Sequence, residues 1–228
     1  MVDLSLSNKY SVSLVFAGVG GYLEAYTFVT RDGVFANSQT GNIARMGISF
    51  ARGDYTMVLR YFIPVLVFVI GVFLSLRLKL LLARHEGFPL SYGQLIVSIE
   101  MVLVIVTGFI PAAKMDVLAT VLVSLVCAIQ VESFRHFGEN AFSSTMCTGN
   151  LRLGTEKIHA YLSTGDRQLL KTAFMYYGID LVFAVFAAVG FWLTSFLGVR
   201  AVWCTLVILL GLFLAFALER RSAPKSEI

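Results

Sequence analysis

The sequence predicts an all-α protein, a bundle of about six membrane-spanning helices built from two related halves. Hydrophobic residues make up 57% of the 228 residues and charged residues only 14%, whereas a soluble domain carries roughly one-quarter charged residues. Several apolar runs have about the twenty residues that cross roughly 30 Å of hydrocarbon as a helix. A polar signature also recurs in the two halves. These three observations predict the fold class.

Six apolar runs have the length of a membrane-spanning helix. The first could be mistaken for a secretory signal, but it is too long for the apolar part of a signal and contains Glu24, so we keep it as a helix of the mature protein. The runs leave little chain for an extramembrane domain, and we interpret 1–228 as a single integral membrane domain. The predicted spans are 10–29, 61–82, 95–111, 117–134, 172–197 and 199–218.

The net charge of +4 does not indicate a nucleic-acid partner, because the basic residues lie between the apolar runs rather than on one face. If the N-terminus is cytoplasmic and each run crosses once, most lysines and arginines fall on the cytoplasmic side, as in most membrane proteins. We therefore expect both termini in the cytoplasm and a cytoplasmic tail at 219–228. Four arginines in the first outside loop, Arg31, Arg45, Arg52 and Arg60, oppose this orientation.

A single ungapped offset relates two polar motifs. Glu24 and the Thr-Gly-Asn tripeptide at 40–42 recur as Glu132 and Thr-Gly-Asn at 148–150, and 132 − 24 = 150 − 42 = 108. A tripeptide can recur by chance, but here each copy follows the first span of a three-span set. The pattern predicts a duplication. Because each half has an odd number of crossings, the second half should be inverted relative to the first.

The two repeats are predicted at about 10–111 and 116–218. Each contains a long connection after its first span, at 30–59 and 135–170, whereas the other loops are short. Connections of this length usually contain structure or function of their own. Apolar residues follow each tripeptide at helical spacing, so we expect a short extra helix in each connection. Such a helix either re-enters the membrane or crosses it completely. A complete crossing in each connection would give eight spans and parallel repeats.

The polar residues of the duplicated motif form the predicted substrate-binding site. Serine, threonine and asparagine side chains accept hydrogen bonds from helix-start amides, and glycine permits close backbone approach. Two helix starts facing each other would present amide donors and positive dipole ends, which favour an anionic group. The alternative is a pair of ordinary helix caps in interfacial loops. The predicted binding residues are Asn37, Ser38, Thr40, Gly41, Asn42, Thr145, Thr148, Gly149 and Asn150.

Four acidic residues lie in or near apolar runs, where an ionised carboxylate is costly unless it is paired or faces water. Glu24 and Glu132 are the predicted proton-coupling residues. The alternative for Glu132 is a local pair with Arg135, one helical turn away, and Glu24 has no basic neighbour at that spacing. Glu100 and Asp180 are secondary candidates, for which the alternative is a hydrogen bond to a neighbouring helix.

The sequence contains no nucleotide-binding loop, catalytic triad, haem signature or paired metal site, so we expect no enzyme activity, no cofactor and no metal. Our main hypothesis is a small secondary transporter of an unidentified solute, driven by the proton gradient and working by alternating access. The alternatives are a non-transporting scaffold or sensor, or a channel. The expected partners are the lipid bilayer, a small solute carrying an anionic group, and a second copy in a homodimer.

The motif residues also carry a family resemblance. The segments GGYLEAY at 20–26 and FANSQTGN at 35–42, with the echo TGNL at 148–151, resemble the YoaK family of bacterial inner-membrane proteins. The resemblance covers essentially the whole chain. It implies a multi-pass protein of the bacterial inner membrane, in a family described only as a domain of unknown function. It implies no substrate and no site residue.

Overall fold

The computed structural model describes residues 6–84 and 89–222. Short 3-10 helices lie at Leu6–Asn8 and Gly198–Trp203, and a two-residue hairpin pairs strand β1 (His136–Phe137) with β2 (Asn140–Ala141). Of the predicted tail at 219–228, residues 223–228 lie outside the described part. The described α-helices are α1 (Tyr10–Thr30), α2 (Gln39–Ala51), α3 (Tyr55–Arg84), α4 (Tyr92–Phe109), α5 (Asp116–Ser133), α6 (Cys147–Thr164), α7 (Arg167–Leu197) and α8 (Cys204–Ser222).

The predicted all-α class is confirmed. Within the described residues, five helical segments are long and apolar enough to cross a membrane, and the fifth, at 167–221, has 55 residues and contains α7, a 3-10 turn and α8. At 1.5 Å per residue α7 alone is about 45 Å long, so α7 and α8 each have the length of a crossing. The six predicted spans correspond to α1, α3, α4, α5, α7 and α8. The chain is a multi-pass membrane protein.

One end of the bundle, here called the terminal end, holds the start of the described chain and the end of α8. The Gly138 amide donates to the Asn8 carbonyl at 2.7 Å, and the Arg220 guanidinium donates to the Pro89 carbonyl. Asn8 precedes α1, Gly138 follows α5, and Pro89 lies between α3 and α4. The Tyr92 and Ser133 hydroxyls, at the start of α4 and the end of α5, are hydrogen-bonded at 2.8 Å, so the start of α1 and the ends of α3, α5 and α8 lie at the same end.

The opposite end, here called the far end, holds the other connections. Arg31, which follows α1, donates to the carbonyl of Ile110 at 3.0 Å, in the connection between α4 and α5. The Tyr26 hydroxyl donates to the Val199 carbonyl at 3.0 Å, just after α7. The six long helices therefore alternate in direction between the terminal end and the far end.

Two pairs of long helices pack closely, and a short helix lies against one member of each pair. α1 packs mainly on α7, and α5 packs mainly on α3, while α2 lies against α3 and α6 against α7. Both main contacts depend on small residues. A Cβ at Gly21 of α1 would meet the backbone of Phe183 in α7, and a Cβ at Gly71 of α3 would lie 2.6 Å from the Cβ of Ala128 in α5. Close helix approach of this kind is how helices associate in membranes.

The same turn also joins α2 to α3 and α6 to α7. Gly53 and Gly165 both have φ of 74°, a left-handed conformation that glycine adopts without strain at a helix end. The next residue then caps the following helix: Asp54 accepts from the Met57 amide at 3.1 Å, and Asp166 accepts from the Gln168 amide at 2.8 Å. The same glycine and aspartate pair therefore forms the turn between each short helix and the long helix that follows it.

Candidate functional site

The connection between α1 and α2 folds back along α1. The Ala36 amide donates to the Thr27 hydroxyl at 3.3 Å, and the Asn37 amide donates to the Glu24 carboxylate at 3.0 Å. One turn deeper, the Asn37 side chain donates to the Gly20 carbonyl at 2.9 Å. α2 consequently begins beside the middle of α1 and not beyond its end. The short helix predicted in this connection is confirmed, and it begins at Gln39, one residue before the tripeptide.

Glu24 supplies the acceptor at the start of α2. Its carboxylate accepts from the backbone amides of Asn37 and Ser38, and Arg45 on α2 is close enough to interact with it electrostatically. The Ser38 side chain makes no capping hydrogen bond, and Thr40 is exposed. We expected the motifs' own side chains to cap these helices, and this was wrong for both, because Met146 at the start of α6 also makes no side-chain capping hydrogen bond. A carboxylate at a helix start is favourable because it opposes the positive dipole end.

The two asparagines of the tripeptides make the same hydrogen bond. The Asn42 amide group donates to the Phe35 carbonyl at 2.6 Å, and the Asn150 amide group donates to the Ser143 carbonyl at 2.8 Å. The acceptors are separated by 108 residues, as the asparagines are. Each asparagine thus ties the first turn of its short helix back to the connection that precedes it. Asn150 also donates to the Asp180 carboxylate at 2.9 Å.

The connection before α6 reaches the same part of α1. The Gln130 side chain on α5 donates to the Phe16 carbonyl of α1 at 3.0 Å and to the Ser144 hydroxyl at 2.7 Å. A Cβ at Gly20 would lie 2.8 Å from the methyl group of Thr145 and 3.2 Å from the Ser144 carbonyl. Because Asn37 also bonds to Gly20, the connections before α2 and α6 meet at this one residue. We call these two connections, 31–38 and 134–146, the returning segments.

Acidic side chains surround two thiols at this junction. The Cys127 thiol on α5 lies 3.6 Å from the Thr145 hydroxyl and interacts electrostatically with Glu24 and Glu100. Cys147, the first residue of α6, interacts with Asp180 and Glu24. Glu24 is 9% exposed and Glu100 is 0% exposed. The starts of α2 and α6 therefore lie near acids from α1, α4 and α7, of which Glu24 and Glu100 are buried and Asp180 is half-buried; we call these three residues the acidic cluster.

Comparison with known proteins identifies the family. A model of a family described as a protein of unknown function, DUF1275, matches residues 12–215. The chain belongs to the DUF1275 family. No curated protein and no solved structure matches it. The match covers both halves of the bundle and both returning segments, so the junction at Gly20 lies within the family's matched region.

This DUF1275 chain brings together only part of the set of residues predicted from the sequence. Asn37, Asn42 and Asn150 are buried in the returning segments or at the helix starts that follow them. Thr145 contacts α1 and α5, and Ser38 donates its amide to Glu24. The secondary candidates Glu100 and Asp180 lie in the acidic cluster described above.

Other predicted residues lie away from the junction. Thr40, Thr148 and Gly149 are exposed on the outer faces of α2 and α6, and a Cβ at Gly41 would contact the Phe35 ring instead of the cluster. Glu132 lies one residue before the end of α5 and pairs with Arg135 at 3.3 Å. Glu24 and Glu132 are related by the repeat offset. The Glu24 carboxylate, however, lies at the start of a short helix, and the Glu132 carboxylate does not.

Sequence reasoning missed a polar face on α5. Ser124 donates its hydroxyl to the Ala36 carbonyl at 2.8 Å, and Cys127 and Gln130 contact the other returning segment. α5 therefore holds both returning segments against α1. The signal was present, because Thr120, Ser124, Cys127 and Gln130 are spaced by three or four residues and so share one helix face.

A second missed feature is an ion network at the far end. Arg31 is completely buried and donates to Asp116 at 3.2 Å, while Arg60 lies 3.7 Å from the other Asp116 oxygen and 2.5 Å from Asp32. Sequence reasoning treated both arginines as loop charges. The network connects the end of α1, the first part of α3 and the start of α5. It therefore holds these three helices together at the far end, where the first returning segment begins.

Proposed function

We propose that this DUF1275 protein is a small secondary transporter whose solute site lies where α1 meets the two returning segments. One observation carries the proposal: the start of α2 donates two amides to Glu24, and the start of α6 lies close enough for Cys147 to interact with the same carboxylate. Polar groups at the middle of apolar helices are costly unless they serve a pathway or find partners. Broken helices that meet near mid-membrane are the usual site in secondary transporters.

The proposal includes an inverted repeat in which α2 and α6 re-enter the bilayer from opposite sides. Its support is the matched packing of α1 on α7 and α5 on α3, the equivalent asparagine bonds, and the equivalent glycine turns. Alternating access would follow from motion of one half against the other, in a bacterial inner membrane with both termini cytoplasmic. We further propose that the protein is a relative of the YoaK family and that it forms a homodimer.

The arrangement favours a neutral or cationic solute. Glu24 already opposes the positive end of α2, and Asp180 lies beside the start of α6 through its bonds with Asn150 and Cys147. An anionic solute would meet like charge whenever these carboxyls are ionised, which is unfavourable in a medium of low dielectric constant. The anionic group that we expected from the helix dipoles alone therefore has little support from the side chains.

Glu24 is the proposed coupling residue. It is buried, it touches one returning segment directly and it interacts with the first residue of the helix after the other. A change in its charge would therefore alter the hydrogen bonds at the start of α2. Glu132 has less support for this role, because Arg135 pairs with it near the end of α5.

The test is a thermal-shift screen of the purified protein with neutral and cationic small solutes, followed by uptake into proteoliposomes under an imposed pH gradient. The transported solute should raise the Tm of the wild type, and it should be taken up under the imposed pH gradient. Glu24→Gln should lose both responses, whereas Thr148→Ala, with its exposed side chain, should keep both. Equal uptake by the wild type and Glu24→Gln at every imposed gradient would remove Glu24 from the mechanism.

A non-transporting scaffold is the second candidate, since many polar side chains at the junction are satisfied within the protein. The Asn150 side chain, for example, bonds the backbone amide and carbonyl of Ser143, and the Gln130 side chain donates to the Ser144 hydroxyl. In a scaffold, Asn37→Ala would lower the Tm without changing any solute response. In a transporter, the folded variant would lose the solute-dependent Tm shift. The two outcomes separate the candidates.

A further inference from the structure

We propose that the outer face of α6 is the surface on which two copies of this protein associate, with Arg152 of each copy paired to Glu156 of the other. This surface gives the homodimer proposed above a location, so it rests on that part of the proposed function and not on transport. Its test requires no solute.

The two short helices expose faces of opposite chemistry at equivalent positions. Four exposed residues of α6 are polar or charged, and they are spaced by three or four residues, so they share one helix face. The repeat offset relates each of them to an exposed small or apolar residue of α2. The outer face of α2 suits contact with lipid chains, whereas that of α6 does not. The four pairs are Ala44 and Arg152, Gly47 and Thr155, Ile48 and Glu156, and Ala51 and His159.

Two hydrogen bonds fix the level of α6 along α7. Asn150, in the first turn of α6, donates to the Asp180 carboxylate at 2.9 Å, and the hydroxyl oxygens of Thr155 and Tyr177 are 3.0 Å apart. At 1.5 Å per residue, Tyr177 lies about 15 Å and Asp180 about 20 Å along α7 from its first residue, Arg167. The first half of α6 therefore lies well inside the length of the long helix, away from the turn that joins the two.

At this level α7 exposes large apolar side chains. Phe174 and Leu181 are 62% and 64% exposed, and both come after Lys171, the charged residue that precedes the mostly apolar part of α7. Such side chains belong in the hydrocarbon of the bilayer. Charged side chains at that depth face protein or a water-filled cavity and do not face lipid. The charges on the outer face of α6 therefore require a cover.

A second copy provides the cover by charge complementarity. Within the described chain α6 packs mainly on α7, which lies on its inner side. Arg152 and Glu156 are one helical turn apart and pair at 2.5 Å within a copy. In a two-fold contact the same patch of each copy meets the other, so Arg152 of each copy reaches Glu156 of the second. The two arginines and two glutamates then form one network in which every charge has an opposite neighbour.

Disulfide crosslinking in native membranes tests the surface directly. Leu151 and its counterpart Ile43 are 49% and 51% exposed, so they are matched positions on α6 and α2. In a variant without the native cysteines, Leu151→Cys and His159→Cys should each give a covalent dimer on oxidation with copper phenanthroline. Ile43→Cys should remain monomeric under the same treatment. Absence of crosslinking at both α6 positions, or a dimer from Ile43→Cys alone, would overturn the proposal.

Charge reversal tests the pairing between copies. Arg152→Glu places like charges in the contact and should remove most of the crosslink formed by His159→Cys. Adding Glu156→Arg restores opposite charges and should recover the crosslink, whereas Arg135→Glu, the same change beyond the end of α5, should leave it intact. Within one copy the exposed pair contributes little to folding, so the crosslink reports association. A double variant that does not recover would contradict the pairing.

A water-filled cavity is the competing explanation for the polar face. In that case Leu151→Cys would react readily with an impermeant maleimide and give no dimer, which would overturn the proposal. A dimer measured by light scattering that does not crosslink through α6 would keep the homodimer and reject this surface. A monomer would reject both. If α6 crosslinks as expected but no solute is taken up, the surface stands and the transport proposal fails.

Discussion

Arg31 and Asp116 form a buried ion pair at 3.2 Å although they lie 85 positions apart in the chain. The guanidinium also donates to the Tyr26 hydroxyl at 2.9 Å and to the Ile110 carbonyl at 3.0 Å. The pair thus closes the far end by joining the end of α1 to the start of α5. Arg60 gives Asp116 a second positive neighbour.

Removing the carboxylate from this pair should destabilise the protein strongly. Asp116→Ala leaves the buried Arg31 charge without its acid, and breaking a buried pair in this way typically costs about 3–5 kcal/mol. We expect a clear fall in Tm in detergent. The double variant Arg31→Met with Asp116→Ala should recover part of the loss, because no unpaired charge remains. Arg152→Ala breaks the exposed pair with Glu156 and should leave the Tm nearly unchanged.

Gly21→Ala should separate α1 from α7. The added methyl group would collide with the backbone of Phe183, which cannot rotate away as a side chain can. Overpacking of this kind costs about 1–3 kcal/mol. Gly47→Ala is the control, because a Cβ there meets nothing within 4 Å and alanine is favoured over glycine inside a helix by about 0.5–1 kcal/mol. The Tm should therefore fall for Gly21→Ala and hold or rise for Gly47→Ala.

The two tripeptide asparagines should differ in their effect on stability. Asn150→Ala leaves the amide and carbonyl of Ser143 without their partner and removes a donor from Asp180. Each buried polar group left unpaired costs about 1–3 kcal/mol. Asn42→Ala deprives only the Phe35 carbonyl and the half-buried Gln39. The Tm should fall more for Asn150→Ala, and an equal or smaller fall would contradict this ranking.

We expect the six long helices of the described chain each to cross once, which would place their connections alternately on the two sides of a membrane. In a cysteine-free background, single cysteines at Arg52 and Lys114 should react with an impermeant maleimide from one side. Cysteines at Asn8 and Arg84 should react only from the other side, since these residues belong to the terminal end. All four positions are exposed. Labelling of Arg52 and Asn8 from the same side would rule out this topology.

The helices were predictable because their signal is local. A run of apolar residues defines α3 or α5 without reference to the rest of the chain, and the glycine and aspartate at each short turn mark the junctions before α3 and α7. The short helices that contain the tripeptides were predicted from the helical spacing of the apolar residues that follow each tripeptide. These features depend on neighbours within a few residues.

The site was less predictable because its partners are distant in sequence. Glu24 caps α2 from 13 residues before Asn37, and no short spacing rule contains that bond. Glu132 has the equivalent sequence position, but Arg135 neutralises it locally. Arg31 looked like a loop charge because its acid, Asp116, comes from another connection. The repeat offset therefore identified equivalent positions in the sequence. It did not reveal whether the two residues at such positions have the same surroundings in the fold.

The double contact at Gly20 constrains how the molecule can open. The Asn37 side chain donates to its carbonyl, and the Thr145 methyl group lies close to its Cα. If both returning segments withdrew together, the Asn37 side-chain amide and the Glu24 carboxylate would lose these hydrogen-bond partners, and each buried polar group left unpaired costs about 1–3 kcal/mol. Such a penalty discourages a continuous leak of ions through the protein.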